Sequence, residues 1–240
     1  MYKRFLFFIL ILVCTGAFAQ SSSPAVRYSE LILFAIRDKK PAEQLLQQVK
    51  AYDWKELQEE LKTDNFKKAF WINMYNSYVQ VLLSKKTSIT SVPAAFFNEK
   101  KVAIAGKTFS FAEIENTLLK NGKQGLDSND YRIHLVLNRG TVSSPSIVVF
   151  DSENIESLLP LAVNRYLKSA VHMDEDGFKA EVPMLFKRYR SEFGGTKNII
   201  EILRKNEVVF MNVKPALEYR KDDVTIKLNN FLPRDELKKQ

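Results

Sequence analysis

Two short segments hold the residues whose types and spacing could do chemistry. The first is Arg132-Ile133-His134-Leu135-Val136-Leu137-Asn138-Arg139-Gly140-Thr141-Val142-Ser143-Ser144-Pro145. Gly140 permits a tight turn, and Pro145 restricts Ser144 to extended backbone. Such a loop can present Ser144 as a nucleophile, with His134 as the base that takes its proton. The same residues also make a hydrogen-bonding turn, and no Gly-x-Ser-x-Gly elbow favours the nucleophile. Asn138, Arg139 and Ser143 share the loop, where a guanidinium beside backbone N–H groups suits an anion.

The second segment is Phe70-Trp71-Ile72-Asn73-Met74-Tyr75-Asn76-Ser77-Tyr78, with Gln80 just beyond. Asn73, Asn76 and Gln80 recur at i, i+3 and i+7, on one face of a helix. Buried amides need partners, because an unpaired buried polar group costs about 1–3 kcal/mol. These three either tie down neighbouring backbone, the commoner fate of buried polar groups, or line a pocket.

Metal and cofactor chemistry find little support. The two histidines, His134 and His172, have no ligand spacing. Asp174-Glu175-Asp176-Gly177 lacks the downstream ligands of a calcium loop and reads as a hairpin turn. No dinucleotide fingerprint or P-loop occurs. Neither a metal nor a cofactor is expected.

The N-terminus predicts export. Lys3 and Arg4 precede an uncharged apolar run over 5–13, and Ala17-Phe18-Ala19 is a small-x-small cleavage site before Gln20. Residues 1–19 are therefore read as a signal peptide, and the protein as periplasmic or secreted. The apolar run is too short to span a bilayer, so no transmembrane span is expected after cleavage. Cys14, the single cysteine, follows Val13, where lipoprotein processing wants a small residue. Cleavage after Ala19 leaves a cysteine-free mature chain, without thiol catalysis, disulfides or cysteine-bound metal. The leader holds two of the 36 basic residues and none of the 28 acids, so the mature chain stays basic. Its basic residues fall in scattered pairs such as Lys67-Lys68, Lys100-Lys101 and Lys187-Arg188. That pattern suits a solvated surface with weak attraction to an anionic envelope, and argues against nucleic-acid recognition.

The positioning elements follow from periodicity. Helical spacing predicts helices over 29–38, 41–51, 53–62 and 64–85, the last apolar nearly all round and so central and buried. A hairpin is expected over 101–109, then a helix over 110–119 opened by Ser110 with Glu113 as a capping box. Short strands are expected at 132–137 and 146–150, the first also readable as helix. A helix over 157–170, a hairpin over 171–182, helices over 183–193 and 196–205 split at Gly194, and strands at 208–213 and 223–228 complete the chain. The class is α+β: a helix-rich single domain over 64–240, with short strands and hairpins around a central buried helix. A helical segment over 20–63 packs on it.

From about Asp64 to Leu232 the chain resembles the domain of unknown function numbered 547, found in secreted bacterial proteins. The resemblance is carried by Ala69-Phe70-Trp71-Ile72-Asn73-Met74-Tyr75-Asn76, by Phe111-Ala112-Glu113-Ile114-Glu115-Asn116, by 132–145, by 186–193 and by Lys227-Leu228-Asn229. Its Trp-x-Asn-x-Tyr-Asn piece is the most specific. The family pattern has Glu-His where this chain has Glu115-Asn116, and cysteines where it has Arg139 and Ser144. The resemblance thus implies a fold and a cleft, without the usual site residues. The expected function is binding of a small anionic ligand or envelope component in a degenerate, non-catalytic cleft. That cleft would be built from Asn73, Asn76, Asn116, Asn138, Arg139, Ser143 and Ser144. The alternatives are a serine-dependent hydrolase using Ser144 and His134, and a structural envelope protein. Intact-mass analysis of the envelope fraction should find Gln20, or its pyroglutamate form, at the N-terminus. A chain beginning at a lipid-modified Cys14 would overturn the leader assignment.

Overall fold

The computed structural model describes residues 23–123, 125–233 and 236, so the leader and its cleavage site lie outside the described residues. Helix α1 (Pro24–Arg37) starts earlier than periodicity suggested, because Ser23 caps it and Pro24 opens it. Glu60 grips the same end, accepting from the Ser23 hydroxyl at 2.7 Å and the Ala25 N–H at 2.8 Å. Helices α2 (Glu43–Ala51) and α3 (Trp54–Glu60) follow, the latter capped by the Asp53 carboxylate. Helix α4 (Asp64–Ser84) is capped by the Thr63 hydroxyl, with Asp64 in its first turn. It is buried along most of its length, and Phe70, Tyr75 and Ile72 rank among the largest fully buried side chains.

Strands β1 (Val102–Ile104) and β2 (Lys107–Phe109) form the expected antiparallel hairpin. Its turn, Ala105-Gly106, donates N–H groups to the Val49 and Lys50 carbonyls at 2.9 Å each. These are carbonyls that the end of α2 would otherwise leave open. The Ser110–Glu113 capping box forms, with bonds of 3.0 and 2.7 Å. The helix it opens is one α-turn, α5 (Phe111–Glu113), which passes into a π-helical turn over Ile114–Leu118. Helix α6 (Ile155–Ala170), strands β3 (His172–Met173) and β4 (Lys179–Pro183), helices α7 (Leu185–Arg188) and α8 (Gly195–Lys205), and β5 (Ala216–Arg220) complete the order. The result is α+β, with β3-β4-β5 a small sheet in which β5 runs parallel to β4. The α7–α8 stretch forms the crossover between those two strands.

Several expected strands are absent as strands. Residues 132–137 lie mostly in a 3-10 helix (Tyr131–Leu135), opened by the Asp130 carboxylate accepting from the Arg132 N–H. Residues 146–150 run extended, with one bridge from Ile147 to Phe231, and 223–228 make single bridges at Thr225 and Ile226. Residues 208–213 run irregularly through a bend and a turn, and the strand comes later, at β5. In that apolar run Val209 is buried while Phe210 and Met211 stay 71% and 76% exposed, so hydrophobicity did not mark a ladder. Likewise 183–193 holds only the single turn α7, and Gly194 at φ 74° sets the break before α8.

The amides of α4 tie irregular backbone to the central helix. Asn73 brackets Phe150: its Nδ2 donates to the Phe150 carbonyl at 2.7 Å, and its Oδ1 accepts the Phe150 N–H at 3.1 Å. Asn76 Oδ1 accepts the Asn138 N–H at 2.8 Å, and Asn76 Nδ2 donates to Val136 at 3.5 Å. Gln80 donates to the Asn138 side chain at 3.2 Å and accepts the Asn229 N–H at 2.7 Å. Side-chain amides thus satisfy backbone groups at the two ends of 136–150, while its middle pairs with the backbone of 223–232. Gly140 is needed here for two reasons. It sits at φ 71°, and a Cβ would come within 2.4 Å of Leu83.

A second tie joins α4 to the 3-10 helix and α6. Buried Lys68 meets Glu156 at 2.5 Å and Asp130 at 3.2 Å, and Arg132 bridges the same two carboxylates. Asn76→Leu tests the amide stripe. It strands the Asn138 N–H, and the variant should lose about 1–3 kcal/mol by chemical denaturation. An unchanged denaturation midpoint would mean that the amide carries no such role.

Candidate functional site

The π-helical turn at Ile114–Leu118 faces Glu115 inward and leaves Asn116 exposed. The Glu115 side chain is only 4% exposed, and it is the hub of a polar cluster. One oxygen lies 3.1 Å from His134 Nδ1, and the other accepts from Arg139 Nη2 at 2.7 Å. The other ring nitrogen of His134 lies 2.9 Å from Glu192, which also pairs with Lys120 at 2.9 Å. Tyr189 stacks on the His134 ring at 3.9 Å, and its hydroxyl accepts from Arg139 Nη2 at 2.9 Å. The Arg139 guanidinium also lies over the Phe97 ring, 4.8 Å from its centre.

The electrostatics follow from this wiring. Burial pushes the Glu115 carboxyl up, but the His134 hydrogen bond, the Arg139 charge and the Tyr189 hydroxyl outweigh it and hold the group at about 2. Burial and the adjacent Glu115 charge push the Tyr189 hydroxyl up to about 12. Beneath them, burial raises the Tyr75 hydroxyl, which has no hydrogen-bond partner among the described residues.

The serine loop is equally constrained. Ser144 Oγ accepts the N–H groups of Arg139 and Thr141, each at 3.1 Å, and exchanges a hydrogen bond with Thr141 Oγ1 at 2.8 Å. Ser143 Oγ accepts the Asp223 N–H at 2.7 Å. No hydrogen bond joins Ser144 to His134, whose ring nitrogens both face carboxylates. A serine so held closes a turn, and a histidine so placed has no free nitrogen to accept its proton.

Asn116, His134, Arg139, Ser143 and Ser144 all line one cleft of about 620 Å³, with Phe97, Leu137 and Leu185 among its apolar walls. Asn73, Asn76 and Asn138 do not line it. They are fully buried, with their polar atoms spent on backbone and on one another, so the expectation of an amide-lined wall is corrected. The carboxylate centre, Glu115, its neighbour Tyr189, and Glu192 on the other side of His134 went unmarked in the sequence as site residues. Glu115 adjoins Asn116, and Tyr189 and Glu192 fall in the 186–193 piece, but no periodicity points any of them at the others.

Among the described residues, no helix is long and apolar enough to cross a membrane, and no cluster of three or more His, Cys, Asp or Glu has metal-holding geometry. Residues 58–167 match the family model described as "Protein of unknown function, DUF547". No curated protein and no solved structure matches the chain. The matched span contains α4, Glu115, His134 and the serine loop; Tyr189 and Glu192 lie beyond it.

The depressed Glu115 carboxyl has a defined pH signature. Its folded value near 2 lies below its ordinary 4.5, so the stability it contributes is complete above about pH 4.5 and is lost as pH falls toward 2. Urea titrations should show the wild type losing up to about 3 kcal/mol more than Glu115→Gln across that window. Parallel curves for the two proteins would remove the ionised carboxylate from the centre of the cluster.

Proposed function

We infer that this chain, whose residues 58–167 belong to the DUF547 family of unknown function, binds a small anionic ligand in the cleft beside Arg139 without turning it over. One observation carries the reading. Arg139 spends Nη2 on Glu115 and Tyr189, and its other N–H groups have no hydrogen-bond partner among the described residues. The guanidinium borders the cleft, steadied against Phe97. A carboxylate or phosphate entering there would accept charge-assisted hydrogen bonds from a preset fork. Asn116 and the Thr141 hydroxyl lie on the same cleft and supply further polar contacts.

Absence of turnover is proposed because each candidate group is committed elsewhere. Ser144 already accepts two N–H groups, His134 faces two carboxylates, and an amide at Asn116 is no base at neutral pH. These facts favour binding over the serine-hydrolase alternative. Export after Ala19, with a periplasmic or secreted location and an envelope component as the source of the anion, belongs to the same proposal.

A thermal-shift screen of carboxylate and phosphate metabolites should give stabilising hits. Those hits should weaken in Arg139→Lys, which keeps the charge and loses the fork, and vanish in Arg139→Ala. Ester, amide and peptide substrates should show no hydrolysis above buffer. Turnover abolished by Ser144→Ala would establish the hydrolase instead, and an empty screen would leave the structural role.

A further inference from the structure

The cleft beside Arg139 does not end at the serine loop. Ser143, Ser144, Tyr166 and Asp222 line it on one side and line a second depression, of about 760 Å³, on the other. The second lobe is cationic. Arg165 and Lys168 come from α6, Arg220 from the end of β5, and Lys221 and Lys227 from the segment that follows. Three carboxylates share its lining, two of them already engaged: Asp222 pairs with Arg188 at 3.1 Å, and Asp223 accepts the Thr225 N–H at 3.0 Å. The ammonium groups of Lys221 and Lys227 are exposed and have no partner among the described residues. The lining between them adds hydroxyls, Ser146 and Ser169.

A low ridge of Ser143, Ser144 and Tyr166, with Asp222 paired to Arg188 beside them, thus separates a guanidinium fork from a patch of uncommitted ammonium groups. The geometry points to an extended ligand that crosses this ridge, with one anionic group at Arg139 and further anionic groups on Lys221 and Lys227. The Arg139 end rests on the function proposed above; the lysine end stands on its own residues. Repeating phosphates without bases are the chemistry that fits. Lysines bind phosphate as point charges, and hydroxyls donate to phosphate oxygens. A single-stranded nucleic acid would need exposed aromatic faces for its bases, whereas the aromatic shared by both lobes, Tyr166, is buried.

The experiment is isothermal titration of the mature chain with inorganic phosphate, tripolyphosphate and long-chain polyphosphate, at low and physiological salt. Affinity should rise with chain length. The Lys221→Ala/Lys227→Ala double variant, altered only at exposed positions, should bind polyphosphate about five- to tenfold more weakly and inorganic phosphate unchanged. Arg139→Lys should weaken both. Affinity independent of chain length, or wild-type polyphosphate binding by the double variant, would overturn the inference. So would an RNA oligonucleotide that binds more tightly than polyphosphate of matched charge. If inorganic phosphate fails to bind while polyphosphate still depends on Lys221 and Lys227, the Arg139 reading falls and the cationic lobe is upheld alone.

Discussion

Asparagine and glutamine side chains on α4 hold the two ends of the segment 136–150 as a neighbouring strand would in a sheet. Asn73 exchanges two hydrogen bonds with Phe150, and Asn76 and Gln80 hold Asn138 by its backbone and its side chain. A helix cannot pair its own backbone sideways, because those groups are used within it. Its side-chain amides can, since each carries both a donor and an acceptor. The irregular chain from Val136 to Phe150 is therefore held from two sides, by the amides at its ends and by single bridges to Ile226 and Phe231 along its middle, and the serine loop hangs from that fixed segment. Asn138 then passes the order onward, donating to Pro145 at 2.6 Å and accepting from Gly140 at 2.8 Å.

From that base the site is a matter of charge balance. A carboxylate as buried as Glu115 is tolerable only when cations and donors surround it. His134, Arg139 and Tyr189 do so, and in doing so fix one another: the tyrosine stacks on the histidine and receives the arginine. The loop anchored by α4 supplies Arg139, the π-helical turn supplies Glu115, and α7 is followed directly by Tyr189. Three elements distant in sequence thus meet at one carboxylate, and the cleft is the space left beside them.

Sequence patterns revealed the parts governed by local rules. The burial of α4 followed from apolar residues all round it, the β1–β2 hairpin from its glycine, and the capping box from Ser110 and Glu113. Residues 132–137, readable as strand or helix, and 208–213, read as strand, were ambiguous because apolar runs look alike in strands, 3-10 turns and buried loops. The first is opened by a local cap, Asp130, and held by distant Lys68; the strand that replaced the second depends on distant β4. The site divided in the same way. Arg139, Ser143 and Ser144 were marked by their own loop chemistry. Glu115 and Tyr189 owe their roles to a pairing across 74 positions of chain, which no local spacing encodes.

The grip of Glu60 on the start of α1, together with the hairpin turn seated on the end of α2, has a consequence for what counts as one domain. Sequence comparison recognises residues 58–167, and that span begins inside α3. Yet α1 packs along α4, Glu60 of α3 caps the first residues of α1, and β1–β2 closes the last carbonyls of α2. The recognisable stretch and the physical unit therefore have different edges. Helix α1 forms one wall of the central helix's enclosure, steadied by α2 and α3, and a relative lacking it would need some other apolar surface in its place.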